Sequence, residues 1–379
     1  MRTIYLDHAA TTQLSDAARS AMEPFLSDRF GNASSVHAPG REARKAVDEA
    51  RERVASVVGA RPDEVVFTSG GTEADNLALK GAAWHGREQG RDGVVVTAIE
   101  HHAVLDPARW LARQGFRVSE VGVDAVGVVP ADAIRDAVDD RTAIVSVMWA
   151  NNEVGSVQPV GAASETARAA GAVFHSDAVQ GVPWLDVDAD IAGLLSVSAH
   201  KMGGPKGVGA LVVRRGVKIQ PLLHGGGQER DVRSGTYNVA GIAGFGAAAE
   251  HWVANRAAAG ERIAGLRDRL ERAIVGGLAG VIVSAAGAER LPNNLHLLIE
   301  GIDGESLILL LDAAGIAASQ GSACSSGAAE PSHVLAAMGV ARELARGALR
   351  LSLGPSTTQA DVDRAAAAVI DAVGRLRTR

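Results

Sequence analysis

The lysine in "SVSAHKMGGPKGVGAL" (residues 196–211) stands where an apolar run gives way to glycines. A cation at the end of a buried strand is costly unless an anionic or electrophilic group meets it. With its pKa lowered by neighbouring cations or desolvation, such an amine forms an imine with a carbonyl. Lys201 is therefore a candidate nucleophile, with His200 beside it. Twenty-four residues upstream, "HSDAVQ" (175–180) places Asp177 and Gln180 at the end of another apolar run. A carboxylate there can keep a ring nitrogen protonated. In "SGGTEADN" (69–76), Gly71 and Thr72 open a helical stretch, a cradle of backbone N–H groups that favours phosphate. His101 and His102 follow "VVVTAIE", Asn151 and Asn152 follow the run that begins at 143, and Ser198 precedes His200. The single cysteine, Cys324, lies among small residues in "SQGSACSSGAAEPSH" (319–333), as inert filler or as a reactive thiol. One cysteine allows no intrachain disulfide and no cysteine-rich metal site.

These residues need a frame. The 379-residue chain is long enough for a large core and two domains, and its 47% hydrophobic and 22% charged content is that of a globular protein. A net charge of −6 argues against nucleic acid and anionic lipid as principal partners. The N-terminus has no apolar core of signal-peptide length and no run approaches a membrane span, so a cytoplasmic location is expected. Between about residues 60 and 215, apolar runs at 64–70, 94–100, 117–123, 143–151, 172–179, 194–201 and 209–215 alternate with helix formers. That pattern predicts an α/β fold with a mostly parallel central sheet covered by helices. From about 240 an alanine- and arginine-rich helical region follows, then strand-like "VIVSAAG", "NNLHLLIEG" and "ALRLSLGP", and a terminal helix capped by Thr357 or Thr358. The expected division is a large domain over 14–255 and a smaller α+β domain made of 1–13 and 256–379.

Ligands of an open parallel sheet bind beyond the carboxyl ends of its strands. One sheet edge then collects a phosphate cradle, an aromatic base, amides, a carboxylate and an amine. Those are the parts that hold pyridoxal phosphate (PLP) as an electron sink.

Ten stretches, in order from residue 5 to 354, carry a resemblance: "YLDHAATT", "GNASSVH", "SGGTEADNLALKG", "EHHAVLD", "NNEVG", "HSDAVQ", "SAHKMGGPKGVGAL", "GGGQERDVRSGT", "GSACSSG" and "LRLSLG". In these the chain resembles the NifS/IscS-like cysteine desulfurases, class V aminotransferase relatives with the fold-type I architecture of PLP-dependent transferases. The resemblance implies Lys201 as the residue joined to PLP, Asp177 at the pyridinium nitrogen, Gln180 at the ring hydroxyl, and His101 stacked on the ring and moving protons. It implies that Gly71, Thr72, Ser198 and His200 hold the phosphate, with Thr236 reaching in from the second subunit of a homodimer. Asn152 and Arg350 would clamp the α-carboxylate of L-cysteine. Cys324 would take the sulfur as a persulfide, leaving L-alanine, and pass it to an acceptor protein such as an iron–sulfur scaffold or to other sulfur-containing products.

No metal site is expected: adjacent His101 and His102 diverge at a strand end and no third ligand is evident. Cys324 is carried only as a candidate ligand to a cluster edge on a partner. The chain stops at Arg379 soon after the terminal helix, which puts in question the docking of a scaffold to a C-terminal extension that some family members use. The 26 positions from Cys324 to Arg350 resemble the long-loop members, which hand sulfur to varied acceptors. Three other readings stay open: a selenocysteine lyase, an aminotransferase on the same fold, and a non-catalytic sulfur carrier or assembly protein.

Overall fold

The computed structural model describes residues 3–321 and 332–378. After the short strand β1 (Ile4–Tyr5) come two helices, α1 (Asp16–Leu26) and α2 (Ala38–Val57). The central sheet is then laid down by β2 (Val65–Thr68), β3 (Gly93–Thr97), β4 (Arg117–Val121), β5 (Thr142–Ser146), β6 (Val173–Asp177), β7 (Leu194–Ser198) and β8 (Gly209–Val213). The helices α3 (Gly71–Glu88), α4 (His102–Arg113), α5 (Ala131–Ala137) and α6 (Val160–Ala169) lie between strands. The strand order is β2-β8-β7-β6-β5-β3-β4, and only the pairings of β8 are antiparallel. The mostly parallel sheet inferred from the apolar runs is present.

Its burial follows from side-chain alternation. Val94 and Val96 enter one core with Leu77, Leu105 and Ile144, while Val95 enters the other with Val47, Val145 and Phe245. Both faces of β3 and β5 are covered, so these strands read as continuous apolar runs without polar alternation. Those runs outlast the strands. The strand expected over 143–151 ends at Ser146, and that expected over 194–201 ends at Ser198. The additional apolar residues stay buried in the turns beyond the ladder, and those turns carry the site.

The 39-residue helix α7 (Val239–Gly277) carries the chain past position 255, from packing on α1 and α2 to packing on the terminal helix. Strands β9 (Val281–Val283) and β10 (Asn294–Ile299), helix α8 (Gly304–Ala313), strand β11 (Ile316–Ala317) and helices α9 (His333–Ala337) and α10 (Arg342–Ala345) follow. Strand β12 (Ala348–Ser352) and α11 (Gln359–Arg377) complete the chain. The strands β12, β10 and β9 form an antiparallel sheet, and β1 pairs with β11. Thr358 caps α11 in a reciprocal arrangement with Asp361. Sequence patterning predicted neither α1 nor α2.

One buried ion pair ties α2 to the glycine-rich turn at 225–231. Arg51 donates to both carboxylate oxygens of Glu229 at 2.7 Å, and Glu229 also accepts from the Phe67 N–H at 3.2 Å. Their side chains are 8% and 2% exposed. Glu229, Arg230 and Asp231 all have positive φ, a conformation that ordinary residues hold only when their surroundings enforce it. Removing one partner of a buried pair strands the other charge, so Glu229→Gln should lower stability by about 3–5 kcal/mol in chemical denaturation.

Candidate active site

The turns beyond β3, β5, β6 and β7 and the N-terminus of α3 enclose a cavity of about 600 Å³. Among its lining residues are Gly71, Thr72, His101, Asn152, Asp177, Gln180, Ser198, His200, Lys201 and Arg350. All ten were singled out in the sequence. Thr236 does not line the cavity and is exposed. Cys324 lies outside the described residues, but Gly321 and Ser332, which flank its segment, both line the cavity.

Lys201 sits in a short turn of helix directly after β7. Its Nζ donates to the carbonyls of Ala9 (2.5 Å) and Ala10 (2.8 Å), from the segment after β1. Gln180 Nε2 also donates to the Ala9 carbonyl, at 2.9 Å. His200 Nδ1 faces the Thr11 hydroxyl at 3.1 Å, and burial followed by the Lys201 charge lowers its pKa to about 4. His200 is therefore a neutral hydrogen-bonding group at neutral pH.

His101 caps α4, its Nδ1 accepting the Ala103 N–H at 3.0 Å. That bond places the proton of the neutral ring on Nε2. Burial, partly offset by Asp177, keeps the His101 pKa below its usual value. Asn151 is a turn residue: its side-chain oxygen accepts from the Glu153 and Val154 N–H groups and its amide donates to Ile99. His102 lies at the cavity edge, edge-on to His333 at 4.8 Å between ring centroids.

Buried acids lie at the cavity, with Asp75 and Asp177 among its lining residues. Burial, then the neighbouring Asp75, raises the Asp177 pKa to about 7, and burial raises Asp75 to about 7. Glu100 is held well above the carboxylate range by burial. His175, lowered to about 4 by burial, bridges Ser146 and Ser196 and stands 3.6 Å from Asp75. Both aspartates hold protons in the folded chain that they release near pH 3.8 when unfolded. Their contribution to stability is complete below that pH and is lost as pH rises through about 7. Buried histidines slope the other way, so the test is a difference. Relative to the parent, ligand-free Asp75→Asn should gain stability between pH 4 and 7, by up to about 4 kcal/mol in denaturation midpoints read at each pH.

Patterning did not single out Asp75, Ser332, His333 or the Ala9 and Ala10 carbonyls. Asp75 sits inside a helical stretch, where a solvated face is the default expectation. The alanines contribute only main chain, on which a side-chain pattern is silent. Arg233 forks onto Glu73 in the first turn of α3 at 2.7 and 3.1 Å. Among the described residues no group of three or more His, Cys, Asp or Glu side chains is placed to hold a metal ion.

The aminotransferase class-V family model matches residues 4–365. The chain belongs to the cysteine desulfurases of the class-V aminotransferase family. It is 45% identical to cysteine desulfurase IscS of Dictyoglomus turgidum, over all of this chain and 96% of that one. It is 49% identical to the IscS-like cysteine desulfurase of Mycobacterium tuberculosis, over 98% of this chain and 97% of that one. A solved NifS-like protein superposes with a TM-score of 0.92 at 38% identity, covering 99% of this chain and all of that one. The structure titled SspA in complex with cysteine gives a TM-score of 0.82 at 33% identity, over 94% of this chain and all of that one. The architecture is fold-type I, and the family's cofactor is PLP.

The cavity suits that cofactor. Asp177 is a buried carboxyl pressed toward neutrality for want of a cation, which a protonated ring nitrogen supplies. A Cβ on Gly71 would stand 2.9 Å from the Val179 side chain, so only glycine fits where α3 begins. The first N–H groups of that helix have no partner within it and are open to a phosphate.

Proposed function

We propose that the chain removes the sulfur of L-cysteine, leaving L-alanine, and that Cys324 receives the sulfur as a persulfide. The observation that carries this reading is the sharing of one cavity by Lys201, Asp177, Arg350 and both described flanks of the Cys324 segment. Cys324 stands three residues along the chain from Gly321, a cavity-lining residue.

Bound PLP supplies an electron sink for negative charge developing at the substrate Cα. Lys201 would hold it covalently, and Asp177 would keep the proton on the ring nitrogen. Gly71, Thr72, Ser198 and His200 would take the phosphate. His101 would offer Nε2 for proton transfer. Arg350 and Asn152 would orient the substrate carboxylate. The Cys324 thiolate attacks the substrate sulfur, and the bond from that sulfur to Cβ breaks. Its electron pair returns to the carbon fragment, which takes up a proton and leaves as L-alanine. Thiolate is the reactive form, favoured beside a cationic site.

Incubation with L-cysteine should add the mass of one sulfur atom to the Cys324 peptide. Cys324→Ser should lose sulfur release while retaining PLP. A Cys324→Ser protein that still makes alanine at the parent rate with a keto acid present would instead favour an aminotransferase. A purified protein that stays colourless after PLP is added would favour a non-catalytic carrier. The exposed Thr236 supports a homodimer in which it completes the partner's phosphate site. The reading includes a cytoplasmic location and a sulfur acceptor protein. No described helix is long and apolar enough to cross a membrane.

A further inference from the structure

We infer that Asp7 is a positioning residue for the substrate carboxylate, setting the orientation of Arg350 from outside the cavity. The inference rests on the reading of Arg350 as the clamp for the carboxylate of L-cysteine. Arg350 is 2% exposed and lines the cavity, whereas Asp7 does not line it. Asp7 Oδ1 accepts from Arg350 Nη2 at 2.6 Å. Nη1 donates to the carbonyls of Asn152 (3.0 Å) and Gly321 (3.4 Å). A guanidinium has five N–H bonds. Three are thus engaged, and Nε, buried, has no partner among the described residues. What is left is Nε–H and one hydrogen of Nη2, and a guanidinium offers such a pair to one carboxylate as a bidentate fork when Asp7 takes the other Nη2 hydrogen. A buried donor without a partner is costly, and a substrate carboxylate removes that cost.

Asp7 belongs to a strap that also reaches the amine. The Asp7 backbone bridges to Ser352, two residues past Arg350 on β12, and Ala9 N–H donates to the Ser352 hydroxyl at 2.8 Å. The same strap presents the Ala9 and Ala10 carbonyls to Lys201 and the Thr11 hydroxyl to His200. In an α-amino acid the carboxylate and the amine share one carbon. The spacing between the Arg350 fork and Lys201 must therefore match the substrate, and the 7–12 strap spans that gap. Main-chain bonds anchor the strap to β12, so replacing the Asp7 side chain loosens the guanidinium and leaves the strap in place.

The PLP-loaded protein is titrated by absorbance with L-alanine and with ethylamine, which is L-alanine without its carboxylate. Asp7→Ala should weaken L-alanine binding by about tenfold and ethylamine binding by less than about twofold. KM for L-cysteine should rise in parallel, with kcat falling less. Asp7→Asn keeps an oxygen to accept from Nη2 and should bind L-alanine within about threefold of the parent. In an Arg350→Gln background, Asp7→Ala should add no further loss. Asp7→Glu keeps the charge but displaces the guanidinium, and serves if Asp7→Ala does not fold: it should show the same selective loss. Equal losses for the two amines, undiminished L-alanine binding in Asp7→Ala or Asp7→Glu, Asp7→Asn as weak as Asp7→Ala, or a full Asp7→Ala effect without Arg350 would each overturn the inference. A parent that forms no alanine from L-cysteine would instead overturn the reading of the site.

Discussion

Lys201→Ala should lose alanine formation from L-cysteine by on the order of 10⁴-fold or more, because the amine that holds PLP is removed outright. PLP should no longer be covalently attached, read by borohydride trapping and peptide mass spectrometry. Lys201→Arg separates chemistry from charge. An arginine retains a cation that can donate to the Ala9 and Ala10 carbonyls, but it stays protonated near neutral pH and does not condense with an aldehyde. Both variants should be equally inactive. Substantial turnover in Lys201→Arg would show that the cation alone suffices and that the role assigned to Lys201 is wrong.

Asp177→Asn should bring the second-largest loss. In the ligand-free chain this carboxyl is pressed toward neutrality by burial and by Asp75. A cationic ring nitrogen reverses that balance, since the pair then stabilises the ionised carboxylate. An asparagine keeps the shape and can still accept the Val179 N–H that Oδ1 accepts at 2.9 Å, but it carries no charge. Leaving the opposite charge uncompensated in a buried site costs about 3–5 kcal/mol, so the ring nitrogen gives up its proton and kcat falls by on the order of 10²- to 10³-fold. The affinity of the ligand-free protein for PLP should weaken as well, measured by equilibrium dialysis. Retention of both full kcat and parent-like PLP affinity would remove Asp177 from its assigned place.

Buffering of this effect would come through Asp75. Its carboxyl is buried too, with Oδ1 unpartnered among the described residues and His175 3.6 Å away. The stability difference expected for Asp75→Asn between pH 4 and 7 and the kcat loss expected for Asp177→Asn therefore probe one electrostatic system from its two ends. The two variants are close enough to couple, and their effects should not add.

The linear order of residues determined a good deal here. Apolar runs alternating with helix formers specified a parallel sheet, because strands buried on both faces cannot hide a polar side. A lysine, a carboxylate and a glycine cradle at the ends of such runs then had to meet at one edge, since parallel strands all point their carboxyl ends the same way. The ten motifs narrowed that edge to a family. What the pattern could not determine were contacts made by main chain and by side chains from distant elements. That the Ala9 and Ala10 carbonyls hold Lys201, that Asp75 neighbours Asp177, and that Asp7 grips Arg350 across 343 positions are decided only when elements far apart in the chain pack together. Periodicity reports which face of an element is buried; it carries no information about the partner on the other side of the cavity.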